Sequence, residues 1–228
     1  MEHKATRTRY LAVVAAVAVL VGASGCVTPS LQRPEPNEPG EVSVGAHASV
    51  PAGGELDIEN ADEFPGWVTG TVNVGVTSRM ELGMTAGFTG LYANLKYGLT
   101  ESGNDFQASL IGGLGYWGPF LFFASGSAIP SVDIGALAGY EIIEQINLYG
   151  GYRQYFTGQL AEGDLATSVL IGNVIGGIEL FPEAVVSLPL ELNYNLTRIR
   201  GEFQDTDTEF ESGIVPFPLV NAGVRFTF

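Results

Sequence analysis

From Glu41 to the C-terminus, apolar and polar residues alternate with period two, in short segments separated by turn residues. Successive side chains of an extended strand point to opposite faces, so each such segment predicts a strand with one apolar and one polar face. The last is the most regular. Val220, Ala222, Val224, Phe226 and Phe228 share one face, and Asn221, Gly223, Arg225 and Thr227 the other. Residues 185–199 repeat the pattern, with Val186, Leu188, Leu190, Leu192, Tyr194 and Leu196 against Ser187, Glu191, Asn193, Asn195 and Thr197. Segments 66–77 and 146–157 behave alike, and no convincing helix interrupts them.

The stretch from Met80 to Thr100 sets the strand count. Its apolar residues fall on even positions up to Phe88 and on odd positions from Leu91. A regular strand cannot change phase, so a two-residue turn around Phe88-Thr89 or Thr89-Gly90 divides it into two strands. With further strands at 41–50, 107–117, 131–142 and 167–181 the total is ten, with eight as the fallback count. The expected fold class is all-β: an antiparallel, up-and-down transmembrane β-barrel. A lipocalin-like barrel or β-sandwich puts apolar residues inside; here long aliphatics and aromatics crowd one face of most strands, while polar residues and Gly occupy the other. Inverted packing, with lipid outside, explains this better. Connections also alternate, short at 78–79, 101–105, 143–145 and 182–184, long at 51–65, 118–130, 158–166 and 201–216, with only the turn near Phe88 breaking the pattern. Outer-membrane barrels have short periplasmic turns and long external loops, which assigns both chain ends to the periplasm.

The first 40 residues differ. Lys4, Arg7 and Arg9 precede an apolar run of 13 residues, Tyr10 to Gly22. That is too short to span a bilayer but fits the h-region of a secretory signal peptide. Ala23-Ser24-Gly25-Cys26 follows and resembles the lipobox of bacterial lipoprotein precursors, with Ala23 where that family usually has Leu. The resemblance implies cleavage before Cys26 and acylation of its thiol. Cys26 is the chain's single Cys, so an exported product has no internal disulfide partner for it. Residues 27–40, with four Pro among 14, read as an extended polar tether rather than a folded element. Val27 lacks the Asp that resembles an inner-membrane retention signal. The expected organisation is therefore 1–25 lipoprotein signal peptide, 26–40 lipidated periplasmic tether, and 41–228 barrel.

The whole chain has 10 Lys+Arg and 25 Asp+Glu; loss of Lys4, Arg7, Arg9 and Glu2 with the signal leaves 7 and 24, a net charge of −17. Such a surface disfavours nucleic acid, which demands Lys and Arg. The terminus Val224-Arg225-Phe226-Thr227-Phe228 resembles the signal read by the barrel-assembly machinery, with Phe226 and Phe228 as its apolar marks. Over 41–228 the chain resembles the outer-membrane barrels of Gram-negative bacteria. The resemblance implies outer-membrane lipids, the barrel-assembly machinery and the lipoprotein export machinery as partners. It implies an N-terminus anchored on the periplasmic side.

This phasing sends His47, Glu81, Lys96, Asp133, Glu141, Arg153, Glu179, Glu191 and Arg225 into the lumen. The turn at Phe88-Thr89 places Glu81 opposite Lys96, and the turn near 143 brings Asp133 near Arg153. A loop centred within 201–216 places Glu191 beside Arg225, and Asn195 beside Asn221. Opposed cross-strand neighbours of this kind interact, and a narrow lumen requires charges to be paired. The expected role is thus structural or surface-interactive, with a lumen plugged by ion pairs and acidic loops outside. The first alternative is a narrow channel for small solutes. The second is an outer-membrane lipid-modifying enzyme using His47, the one His left after cleavage; Ser43 and Ser49 share its face, but same-strand neighbours alone do not make a nucleophile–base pair. We therefore expect no catalytic residues, no cofactor and no metal. Asp205, Asp207 and Glu209 alternate with a spacing that could converge on Ca²⁺, yet lack the Gly and terminal Glu of an EF-hand loop.

Overall fold

The computed structural model describes residues 32–52, 67–87, 90–117, 129–157, 160–162, 165–203, 208–211 and 215–228. These residues form twelve strands and no helix long and apolar enough to cross a membrane. In chain order the strands are β1 (Val42–Pro51), β2 (Trp67–Thr77), β3 (Met80–Gly87), β4 (Gly90–Gly98), β5 (Phe106–Trp117), β6 (Ile129–Ile143), β7 (Ile146–Thr157), β8 (Leu160–Glu162), β9 (Leu165–Leu180), β10 (Val186–Phe203), β11 (Thr208–Glu211) and β12 (Val215–Thr227).

Ten of them close a barrel. Each pairs antiparallel with the next, and β12 returns to pair with β1 from Ser43↔Thr227 to Pro51↔Leu219. The short β8 and β11 prolong the β7–β9 and β10–β12 hairpins, pairing with β9 and β10 respectively. The phase change between Met80 and Thr100 is a true hairpin: Gly87 pairs with Gly90 across a two-residue connection, and the ladder runs to Met80↔Tyr97. The start of β1, the C-terminal Phe228 and the tight turns 78–79 and 144–145 lie at one end of the barrel. At the turn 181–185, Ala184 N donates to the Phe181 carbonyl across Pro182, which presets the bend. Pro189 lacks an N–H, and the β10–β12 ladder skips Leu188 and Pro189 before resuming at Leu190↔Ala222.

The packing is inverted. Outward-facing residues are aliphatic or aromatic around the whole ring: Leu114 is 67% exposed and Val68 65%, joined by Leu95, Ile134, Tyr152, Val174, Leu192 and Val220. Inward-facing residues are largely polar and buried, with Ser109, Asn173, Asn193 and Asn221 at 0% exposure. The apolar interior is small, chiefly a cluster of Ile111, Leu137, Tyr149 and Ile175.

Candidate functional site

The lumen is the place where alternate residues of ten strands converge, and it holds the charged residues expected there except Glu141. Lys96 Nζ lies 2.7 Å from Glu81 Oε1, with both side chains 2% exposed. The two are directly opposed in the β3–β4 ladder. Arg153 Nε lies 2.6 Å from Asp133 Oδ1. Arg153 also donates to Asn94 Oδ1, and Asn94 donates to Thr85 Oγ1 at 3.2 Å, so this cluster reaches across to β3. The guanidinium sits 5.1 Å from the centre of the Tyr155 ring, which meets Tyr92 edge-on at 6.1 Å. This is an aromatic contact that stabilises a buried cation.

The third expected pair differs in register. The β10–β12 ladder sets Glu191 opposite Asn221 and Arg225 opposite Ser187, so Glu191 and Arg225 are not cross-strand neighbours. Arg225 Nη1 donates to Glu179 Oε1 at 2.7 Å, and Ser187 Oγ donates to the same oxygen at 2.6 Å. Glu191 accepts from the Tyr149 hydroxyl at 3.3 Å. The cause is the hairpin. β10 runs on to Phe203 and pairs there with Thr208 of β11, so the chain turns back ahead of the middle of 201–216, and β11 and β12 follow one another on β10 within a single residue of register. Asn195 is likewise opposite Phe217 on β12 and Asn173 on β9, not Asn221.

His47 is 4% exposed and lies opposite Thr69 and Gly223. Among the described residues its Nε2 has no hydrogen-bond partner. Ser43 Oγ is engaged by the Asn37 and Asn73 amides. No nucleophile–base contact forms at His47 among the described residues.

The largest departure from expectation is the Pro-rich stretch. Residues 27–40 read as an extended tether, yet from Gln32 onward the chain packs across the mouth of the barrel. Gln32, Arg33, Pro34, Pro36 and Asn37 are all buried. Asn37 N donates to Glu81 Oε2 at 2.8 Å, and the Asn37 amide nitrogen donates to Ser43 Oγ at 3.0 Å and the Asn73 carbonyl at 3.3 Å. Arg33 donates to Asn37 Oδ1 at 3.0 Å, Glu41 Oε2 at 3.3 Å and the Pro182 carbonyl at 3.5 Å. Glu35 accepts from Ser102 Oγ at 2.6 Å and from Gly103 N at 3.1 Å. Glycines make room for the two prolines. A Cβ on Gly139 would stand 2.8 Å from Pro34 Cγ, and one on Gly98 would stand 3.1 Å from Pro36 Cγ. Pro and alternation signals describe secondary structure only; nothing periodic in 32–40 reports that it is buried.

Cys26, the signal segment and the loop residues 53–66, 118–128, 204–207 and 212–214 lie outside the described residues. Glu141 is the one expected lumen charge found at the mouth, half-buried. Phe226 and Phe228 are on the outer face, 40% and 73% exposed, and Phe228 N and O exchange hydrogen bonds with Val42 O and N.

No protein-family model and no curated protein sequence matches the chain. Solved structures do. The outer membrane protease OmpT from Escherichia coli is 11% identical, over 83% of this chain and 94% of that one, with a TM-score of 0.41. Neisserial surface protein A is 15% identical over 82% and 96%, TM-score 0.34. The outer membrane protein OprG from Pseudomonas aeruginosa is 11% identical over 86% and 99%, TM-score 0.32. Likenesses this distant assign no activity.

Proposed function

We propose that this chain is a Gram-negative outer-membrane barrel, held additionally by lipid on Cys26, and that it works as a closed structural or surface-interacting element rather than as an enzyme. The membrane reading is supported by the outer face: a ring of exposed aliphatic and aromatic side chains is intolerable in water and correct in lipid. The barrel closes upon itself, so no strand edge is left unpaired in the hydrocarbon.

One observation carries the closed reading: the lumen is crossed by three buried ion pairs, and residues 32–41 lie across its mouth. Barrels near eight strands have interiors just filled by side chains, whereas open water channels belong to rings of about sixteen; ten strands lie near the closed end. A narrow polar path is the second reading, favoured by Ser49, Asn173, Asn193 and Asn221, whose buried polar atoms have no hydrogen-bond partner among the described residues. Buried polar groups of this kind are met by water. Planar-bilayer recording separates the two. The wild type is expected to give no stable current steps; steady, porin-sized steps would overturn the closed reading.

A further inference from the structure

Strand β10 is the longest of the ring, and the chemistry of its outer face changes once along its length. Val186, Leu188, Leu190, Leu192 and Tyr194 are exposed on that face, and Leu196 continues it. Arg198 and Arg200 follow at the same spacing, half-buried and exposed. Among the described residues every other Lys or Arg lies elsewhere. Lys96, Arg153 and Arg225 are buried in the lumen, Arg33 crosses the mouth, and Arg79 sits in the turn 78–79, 3.6 Å from Glu101. Strand geometry sets the depth of the two outward arginines. From Val186 to Leu196 the strand advances ten residues, about 34 Å at its usual rise, and a tilt of roughly 40° reduces this to about 26 Å along the membrane normal. The apolar band of an outer-membrane barrel is about 25 Å tall, so β10 has crossed it at Leu196. Arg198 then stands about 5 Å beyond the hydrocarbon and Arg200 about 10 Å, at the end opposite the start of β1 and Phe228. The headgroup layer there is about 5–8 Å deep, and a long Arg stem reaches back into it. Arg198 pairs across the ladder with Leu170, and Leu170 with the exposed Phe156, an aromatic of the kind that marks a membrane interface.

We propose that Arg198 and Arg200 bind the phosphate of an anionic lipid in the leaflet at that end, with its acyl chains laid along the outer faces of β9 and β10. Both residues are Arg, whose planar fork grips a phosphate through paired N–H bonds, where Lys offers a point charge. Glu211 stands opposite Arg200 in the β10–β11 ladder. A guanidinium has five N–H donors, so a carboxylate at one edge leaves others to a phosphate. Leu170, Leu192 and Tyr194 are exposed beneath the arginines and supply wall for the acyl chains. The chain carries 10 Lys+Arg against 25 Asp+Glu, a balance that repels anionic lipid in general. Two bases at phosphate depth reverse that repulsion at one sector of the ring.

The test is native mass spectrometry of the full folded chain, released from uncharged maltoside micelles that contain phosphatidic acid or phosphatidylcholine with the same acyl chains. The wild type should retain one phosphatidic acid about tenfold more strongly than phosphatidylcholine, less than the roughly thirtyfold of two bases at an anionic surface because Glu211 faces Arg200. Arg198→Gln with Arg200→Gln should abolish the preference, and Arg198→Lys with Arg200→Lys should keep part of it. Arg79→Gln should leave it whole, although it removes an exposed charge from the other end. All these side chains lie outside the lumen, so every variant should keep its heat-modifiable folded mobility on gels. Equal retention of the two lipids by the wild type, a preference that persists in the double Gln variant, or one that falls as far in Arg79→Gln would overturn the proposal. The site rests on the membrane reading above, which insertion into vesicles of phosphatidylcholine alone tests separately. A barrel that inserts there and shows no preference for phosphatidic acid removes the site and leaves that reading standing.

Discussion

Replacing Lys96 by Met is the sharpest test of how the lumen is held together. Lys96 and Glu81 are each 2% exposed and 2.7 Å apart. In Lys96→Met the Glu81 carboxylate stays buried, retaining only the Asn37 N–H at 2.8 Å. Removing one member of a buried pair costs about 3–5 kcal/mol. The surviving amide bond, and any water that reaches the carboxylate, move the expectation to the lower end, about 3 kcal/mol. In the double variant Lys96→Met with Glu81→Gln no buried charge remains, and the Gln carbonyl still accepts from Asn37. It should lie within about 1 kcal/mol of wild type, since neutral replacements of buried pairs are often well tolerated. The cycle, completed with Glu81→Gln alone, should therefore show a coupling of about 2 kcal/mol or more. Equilibrium urea unfolding in micelles, followed by tryptophan emission and by gel mobility, measures it. A coupling below about 0.5 kcal/mol, the scatter of additive sites, would refute the claim that the pair is a desolvated unit.

Further outcomes are expected. Metabolic labelling with a palmitate analogue should tag the wild type and not Cys26→Ser, and labelling that persists in the variant would remove the lipid anchor from the picture. Deleting Phe226–Phe228 removes the paired ends of β12 beside Val42 and Ser43; folded, heat-modifiable protein should fall and protease-sensitive periplasmic chain accumulate, and unchanged folded levels count against the assembly role. Glu183 has a raised carboxyl pKa in the folded state, so its contribution favours folding below the unfolded value, near about 4.3, and is lost as pH rises through the raised one. Glu183→Gln should thus unfold at higher temperature than wild type at neutral pH, with the gain fading toward acid; a gain independent of pH would contradict this.

Much of the fold was legible because a membrane barrel writes its two faces in the sequence with period two. The phase change between Phe88 and Leu91 located a hairpin, and its two-residue length fixed Glu81 against Lys96. Asp133 and Arg153 were legible as neighbours for the same reason, a tight turn at 144–145. Where the connection is long, that logic weakens. Strand β10 extends past the expected end at Ile199 to Phe203, and because Phe203 already pairs with Thr208 the chain turns ahead of the middle of 201–216, which sets Arg225 opposite Ser187. The burial of Gln32 to Asn37 was illegible for a different reason. It depends on niches at Gly98 and Gly139 and on acceptors at Glu81, Asn73 and Pro182, which exist as one surface only after the ring has formed.

The segment across the mouth also has a place in time. Asn37 reaches Ser43, Asn73 and Glu81, at most 44 residues away, whereas the Arg33 bond to Pro182 spans 149 residues. The β1–β12 seam closes the longest loop of all, and closure entropy grows with loop length. The short-range partners belong to β1, β2 and β3, so the segment can settle on that half-formed sheet from the open side, with no need to be threaded into a finished ring. The later strands then wrap around a filler already in position, as staves are set around a form. Pulsed hydrogen exchange during refolding should find the Asn37 amide protected together with β2 and β3 and ahead of β12; simultaneous protection would contradict the order. On this course the first folded part of the chain determines how tightly the last can close.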